Sequence, residues 1–151
     1  MRSVDSWLDE YGESHQNPTN KQIHWICVPL IVWTVTALLW AIPSPVAWLN
    51  WAVLLTGLAM VWYVALSPRL AIGIGLFLAL CLGLNAWLAA NVAMPLWQIA
   101  LIVFIAAWIG QFVGHHIEGK RPSFFKDLQF LLVGPAWLMG FVYRKFGWRY
   151  G

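Results

Sequence analysis

The chain's four histidines fall at two places: His15 and His24 near its start, His115 and His116 late in it. Neutral imidazoles are the commonest side-chain ligands for transition metals. Around the later pair, Gln111, His115 and Glu118 recur at i, i+4 and i+7, which sets them on one face of a helix. His116 points about 100° away from His115 on the same helix. It joins a shared site only where the helix unwinds near Gly114 or Gly119. His15 lies among turn formers, from Ser14 through Gln16, Asn17, Pro18 and Thr19 to Asn20. Such a loop can fold His15 back toward His24, with Asn17 and Asn20 shaping the turn. The donor set is imidazole-rich with one carboxylate, suited to Fe(II), Zn or Mn; open positions favour non-haem iron. Two histidines bound axially to a haem remain open, although no CxxCH attachment signal is present.

The elements that position these residues are apolar. Hydrophobic residues make up 61% of the 151 and charged residues 10%, against about 25% charged in an ordinary soluble domain. Between residues 22 and 117, the only Asp, Glu, Lys or Arg is Arg69. This excludes a soluble domain, a disordered chain, a secreted disulfide scaffold and a free nucleic-acid binder. The expected fold class is all-α, a polytopic membrane helical bundle forming one integral membrane domain over 1–151. Segments 22–42, 47–66, 70–90 and 95–117 read as four spans, each reaching roughly the 30 Å of a hydrocarbon core. Segment 128–143 is short and carries Gly134-Pro135 near its middle. It is expected to dip in and return or to lie along the interface, the alternative being a fifth full span that would set Arg144, Lys145 and Arg149 on the outer side. Val4, Trp7, Leu8 and Tyr11 follow i, i+3, i+4 and i+7, so an amphipathic helix is expected on the membrane surface. Small residues recur every four positions at Ala71, Gly75, Ala79 and Gly83, and again at Ala106, Gly110 and Gly114. Small residues at this spacing let helix backbones approach closely, so a compact four-helix bundle is expected with the third and fourth spans near its middle.

Four spans return the chain to the side on which it began. His24 opens the first span and His115 closes the fourth, so their depths match. Arg2, Lys21, Arg69, Lys120, Arg121 and Lys126 share that side, while the loops around Ser44 and Val92 carry no charge. By the positive-inside rule this is the cytoplasmic face. Trp40, Trp48, Trp51, Trp87 and Trp97 cluster at the opposite ends, where indole rings anchor at headgroup depth. No signal peptide is read. Glu118 at the boundary needs a partner or a metal, and Lys120 and Arg121 are its plainer partners. Cys27 and Cys81 sit in apolar stretches and read as small hydrophobes. Ser123 is placed to cap the last helix, with Asp127 in its first turn. A GxSxG elbow, a Walker loop, a GxGxxG after a strand and an HExxH are all absent from the sequence.

The same residues carry a family resemblance. Tyr11-Gly12-x-Ser14-His15-x-Asn17-Pro18-x-Asn20-x-x-Ile23-His24-x-x-Cys27-Val28-Pro29 resembles the N-terminal signature of the fungal 2-hydroxy fatty acid dioxygenase family and its bacterial relatives. Gln111-Phe112-Val113-Gly114-His115, followed by Glu118-Gly119-Lys120-Arg121-Pro122, resembles its second signature. The stretch from Asp127-Leu128 to Gly134-Pro135 also fits. The resemblance implies an Fe(II)-dependent dioxygenase that shortens a 2-hydroxy fatty acid by one carbon through α-oxidation, within sphingoid-base breakdown at the endoplasmic reticulum in the fungal member. Its motif histidines map onto His15, His24 and His115, and His116 matches no fixed position. The hydroxyl and one carboxylate oxygen of a 2-hydroxy acid can chelate iron and leave room for O₂, while the acyl chain lies among the apolar helices. Arg121 or Lys120 would then neutralise the carboxylate, and Gln111 would orient a ligating imidazole.

The expected ligands are therefore His15, His24 and His115 first, with His116 and Glu118 second. Fe(II) is the expected cofactor, and a 2-hydroxy fatty acid, molecular oxygen and membrane lipid are the expected partners. The competing expectations are a zinc-dependent lipid hydrolase and a non-catalytic membrane protein that binds lipid or a partner.

Overall fold

The computed structural model describes residues 2–46, 48–119 and 124–151, with 124–130 by backbone alone. The described residues form six helices: α1 (Val4–Gly12), α2 (Pro18–Trp40), α3 (Trp51–Leu66), α4 (Pro68–Asn91), α5 (Leu96–Glu118) and α6 (Phe124–Lys145). Three stretches, Pro18–Ala41, Pro68–Asn91 and Leu96–Glu118, are long and apolar enough to cross a membrane. The fold is all-helical, as expected, and compatible with a membrane protein. The second expected span is shorter than 47–66. Asn50 caps α3 by accepting the Val53 N–H at 3.0 Å, so the helix starts at Trp51 and has 16 residues. That is about 24 Å of rise, short of a hydrocarbon core of about 30 Å.

Local chemistry sets the other boundaries. Asn17 accepts from the N–H groups of Thr19 and Asn20, and Pro18 opens α2 where its missing N–H costs nothing. Ser67 ends α3 in an extended conformation and caps α4 through the Leu70 N–H at 3.2 Å. Gly119 adopts φ 76°, a left-handed conformation open to glycine, and stops α5 directly after Glu118.

The last helix departs from expectation. α6 has 22 residues rather than 16 and runs through Gly134 and Pro135 without reversing. A segment that dips in and returns is therefore not its shape. Close packing holds it: a Cβ on Gly134 would meet Tyr11 Oη at 3.1 Å and Val28 Cγ1 at 3.3 Å. The N-terminal helix forms as expected, but Val4, Leu8 and Tyr11 bury against Val133, Ala136 and Trp137 of α6. Its apolar stripe faces protein.

The centre of the bundle is α2, which packs on α3, α4, α5 and α6. The expectation that the third and fourth spans stand near the middle is corrected to the extent that α2 takes that place, and α4 and α5 meet only slightly. Ala79, Gly83 and Ala106 are exposed. Gly110 and Gly114 do mediate close approach, but to α2: their missing side chains admit Cys27 and Asn20. Ala107 meets Cys27 and Ile31, while Ala100 and Leu96 meet Ala37. Helices α2 and α5 are thus antiparallel, and the end of α5 lies beside the start of α2. Trp48, Trp51, Trp87 and Trp97 are exposed toward the other end. Between α2 and α4, fully buried Asn85 accepts from Trp33 Nε1 at 2.8 Å and donates to Thr36 Oγ1 at 3.1 Å.

Candidate metal centre

The antiparallel pair brings three of the four histidines together. Ring centroids lie 4.1 Å apart for His15 and His24, 5.7 Å for His24 and His115, and 6.2 Å for His15 and His115. All three are buried. His15 enters from the α1–α2 loop, His24 from the second turn of α2 and His115 from the last turn of α5.

Hydrogen bonds fix two of the tautomers. His15 Nδ1 lies 2.6 Å from the Tyr11 carbonyl and His24 Nδ1 lies 2.9 Å from the Asn20 carbonyl. A carbonyl only accepts, so both Nδ1 atoms carry the hydrogen. The two Nε2 atoms then face each other as acceptors, 2.8 Å apart. Two lone pairs in that position call for an electropositive centre between or beside them. Ligating histidines characteristically show this arrangement, one nitrogen donating to a backbone carbonyl and the other presented to the metal. Metal–nitrogen bonds of about 2.1 Å at a right angle would set the nitrogens about 3.0 Å apart, close to what the pair already shows. The donor set therefore fits a transition-metal ion, although among the described residues no three His, Cys, Asp or Glu side chains already stand at coordinating spacing. His115 is the outlying third.

Aromatic rings wall the pair. Tyr11 stacks on His15 at 4.2 Å and 8° between planes, and Trp137 of α6 leans over it at 5.2 Å. Sequence reasoning placed Tyr11 in an amphipathic stripe and in the N-terminal signature without giving it a role at the site, and did not single out Trp137. The ring stack links the four-residue spacing of Tyr11 and His15 to the Tyr11 carbonyl bond. That spacing was the available signal.

Glu118 is placed otherwise than expected. Its Oε1 accepts the Gln16 N–H at 2.8 Å, and its Oε2 accepts the Asn17 N–H at 2.9 Å and Asn20 Nδ2 at 3.1 Å. Both oxygens hold the His15 loop against the end of α5 instead of turning to the imidazoles. Asn20, fully buried, also donates to the Ser14 carbonyl at 3.2 Å, so it braces the loop while its own carbonyl orients His24. His116 is exposed and away from the triad, as the 100° step on an unbroken helix requires. Gln111 is buried one turn before His115, but its Oε1 has no hydrogen-bond partner among the described residues. Lys120 and Arg121 lie outside the described residues.

A family model described as "2-hydroxy-palmitic acid dioxygenase Mpo1-like" matches residues 1–146. The chain belongs to the Mpo1-like family. A relative in this family, the 2-hydroxy-palmitic acid dioxygenase MPO1 of Saccharomyces cerevisiae, is 30% identical over 141 residues, covering 92% of this chain and 79% of its own. The expected family is thus the right one, and the match takes in both histidine motifs. No solved structure matches the chain significantly.

Proposed function

We propose that this Mpo1-like protein is a non-haem Fe(II) dioxygenase that converts 2-hydroxy fatty acids to fatty acids one carbon shorter. The observation that carries this reading is the pair of facing Nε2 atoms of His15 and His24, each ring pinned by a backbone carbonyl. The family and the name of the yeast relative supply the substrate class.

In this reading His15, His24 and His115 hold the ion. Iron held there would supply the oxygen activation that α-oxidation needs. The carbonyls of Tyr11 and Asn20 hold the rings in the ligating tautomer. Tyr11 and Trp137 keep bulk water from the imidazoles. Lys120 or Arg121, next to the Glu118 clamp in sequence, neutralises the substrate carboxylate. The protein sits in the membrane with this end at the cytoplasmic boundary, so the acid enters head first from the lipid.

The test is oxygen uptake by purified protein supplied with Fe(II) and 2-hydroxypalmitic acid, with the product identified by mass spectrometry. Stoichiometric oxygen consumption with a product one carbon shorter is expected. A zinc-dependent hydrolase would consume no oxygen, and a non-catalytic lipid-binding protein would leave the acid unchanged.

A further inference from the structure

Two apolar cavities follow α2, the first beginning one turn beyond His24 at Val28. One, of about 110 Å³, is lined by Val28 and Pro29 of α2, Phe77 of α4 and Leu138 of α6. The second, of about 210 Å³, lies further along α2 at Val32, Val35 and Leu39, facing Ala59 of α3 and Leu78 of α4. Ile74 and Pro135 line both cavities. Val28, Val32, Val35 and Leu39 stand four, eight, eleven and fifteen residues after His24. At 100° per residue these four fall within about 80° of His24 on the helix, and Trp25, Pro29 and Thr36, which also line the cavities, lie about 100–140° from it. One broad face of α2, flanking His24, thus lines both cavities.

We propose that this face and its cavities form the binding cleft for the acyl chain of the substrate, with the carboxylate end at the histidines. The proposal rests on the dioxygenase reading above and assigns that substrate's hydrocarbon a place in the fold. Length supports it: Val28 to Leu39 covers about 16 Å at 1.5 Å per residue, and one acyl chain spans about half of a 30 Å hydrocarbon core. The chemistry of the wall supports it too. Thr36 and Tyr63 line the larger cavity, yet Thr36 Oγ1 donates to the Trp33 carbonyl and Tyr63 Oη to the Leu132 carbonyl, each at 2.6 Å. With these two donors spent on backbone, Thr56 is the remaining hydroxyl in an otherwise apolar wall, so the cavity accepts hydrocarbon and offers little to a headgroup.

The experiment uses the unaltered protein in lipid nanodiscs with a 2-hydroxypalmitic acid analogue bearing a diazirine near its methyl end. Photolabelling within residues 32–39, or at Ala59 or Pro135, suppressed by excess 2-hydroxypalmitic acid, is the expected result. Labelling suppressed only by added phospholipid would assign the cleft to bilayer lipid and overturn the proposal. Labelling confined to Ile102, Ile105 and Ile109, exposed on α5, would also overturn it. A second arm fills the cavity with Ala59→Phe. The variant should lose at least about tenfold in kcat/KM for 2-hydroxypalmitic acid, as if two methylenes went unburied, with 2-hydroxycaproic acid unaffected; equal rates for both would count against the cleft. Labelled cavities without oxygen uptake would retain the cleft and remove the dioxygenase reading. Oxygen uptake with labels elsewhere would do the reverse.

Discussion

Glu118 and Asn17 stand 101 residues apart in the chain, yet the Glu118 carboxylate accepts the Asn17 backbone N–H at 2.9 Å. This bond ties the end of α5 to the start of α2. It lies beside the loop that carries His15 and has a companion in the Gln16 N–H. A carboxylate at this point satisfies orphan amides ahead of a helix N-terminus, where negative charge is favoured.

Glu118→Ala should therefore unlatch the His15 loop. Losing charge-assisted bonds costs on the order of 1–3 kcal/mol. The half-buried position of Glu118 places the effect toward the low end of that range. Glu118→Gln keeps one acceptor oxygen and should lose less. Thermal unfolding in detergent ranks the three proteins, and equal melting temperatures would contradict the clamp.

Metal content should separate the histidines. His24→Ala and His115→Ala are expected to purify without stoichiometric iron, while His116→Ala, altered at an exposed position off the triad, should load like the unaltered protein. Elemental analysis after reconstitution with Fe(II) measures this. Iron retained in both of the first two variants would remove the site.

The α2–α5 seam tolerates little. A Cβ at Gly110 would lie 2.6 Å from Cys27 Sγ, so Gly110→Ala should destabilise by about 1–3 kcal/mol through overpacking. Combined with Cys27→Ala, which removes the obstructing sulfur, the loss should be smaller than the sum of the two single effects. Unfolding curves of the four proteins in the cycle give the coupling, and strict additivity would refute this contact.

Asn85 supplies a control remote from the histidines. Asn85→Leu removes the acceptor for Trp33 Nε1 and the donor to Thr36. Thr36 keeps its bond to the Trp33 carbonyl, but leaving the buried Trp33 N–H unpaired should cost about 1–3 kcal/mol with iron content unchanged. A variant as stable as the original would show that this polar trio contributes nothing net.

Much of this protein was fixed by residue type and order. A chain with one formal charge between residues 22 and 117 must put its backbone into apolar helices. Once α2 and α5 run antiparallel, His24 and His115 share an end whatever the details of packing. The paired motifs around them sufficed for the family. Tertiary structure decided what depends on helix rotation and on bond direction. It turned Glu118 toward amides instead of imidazoles, made α2 the hub and ran α6 unbroken through Pro135. None of these follows from periodicity, because the partner that selects a helix face or claims a carboxylate comes from a distant part of the chain. A sequence shows which groups are available, and only the packed fold shows which of them each has found.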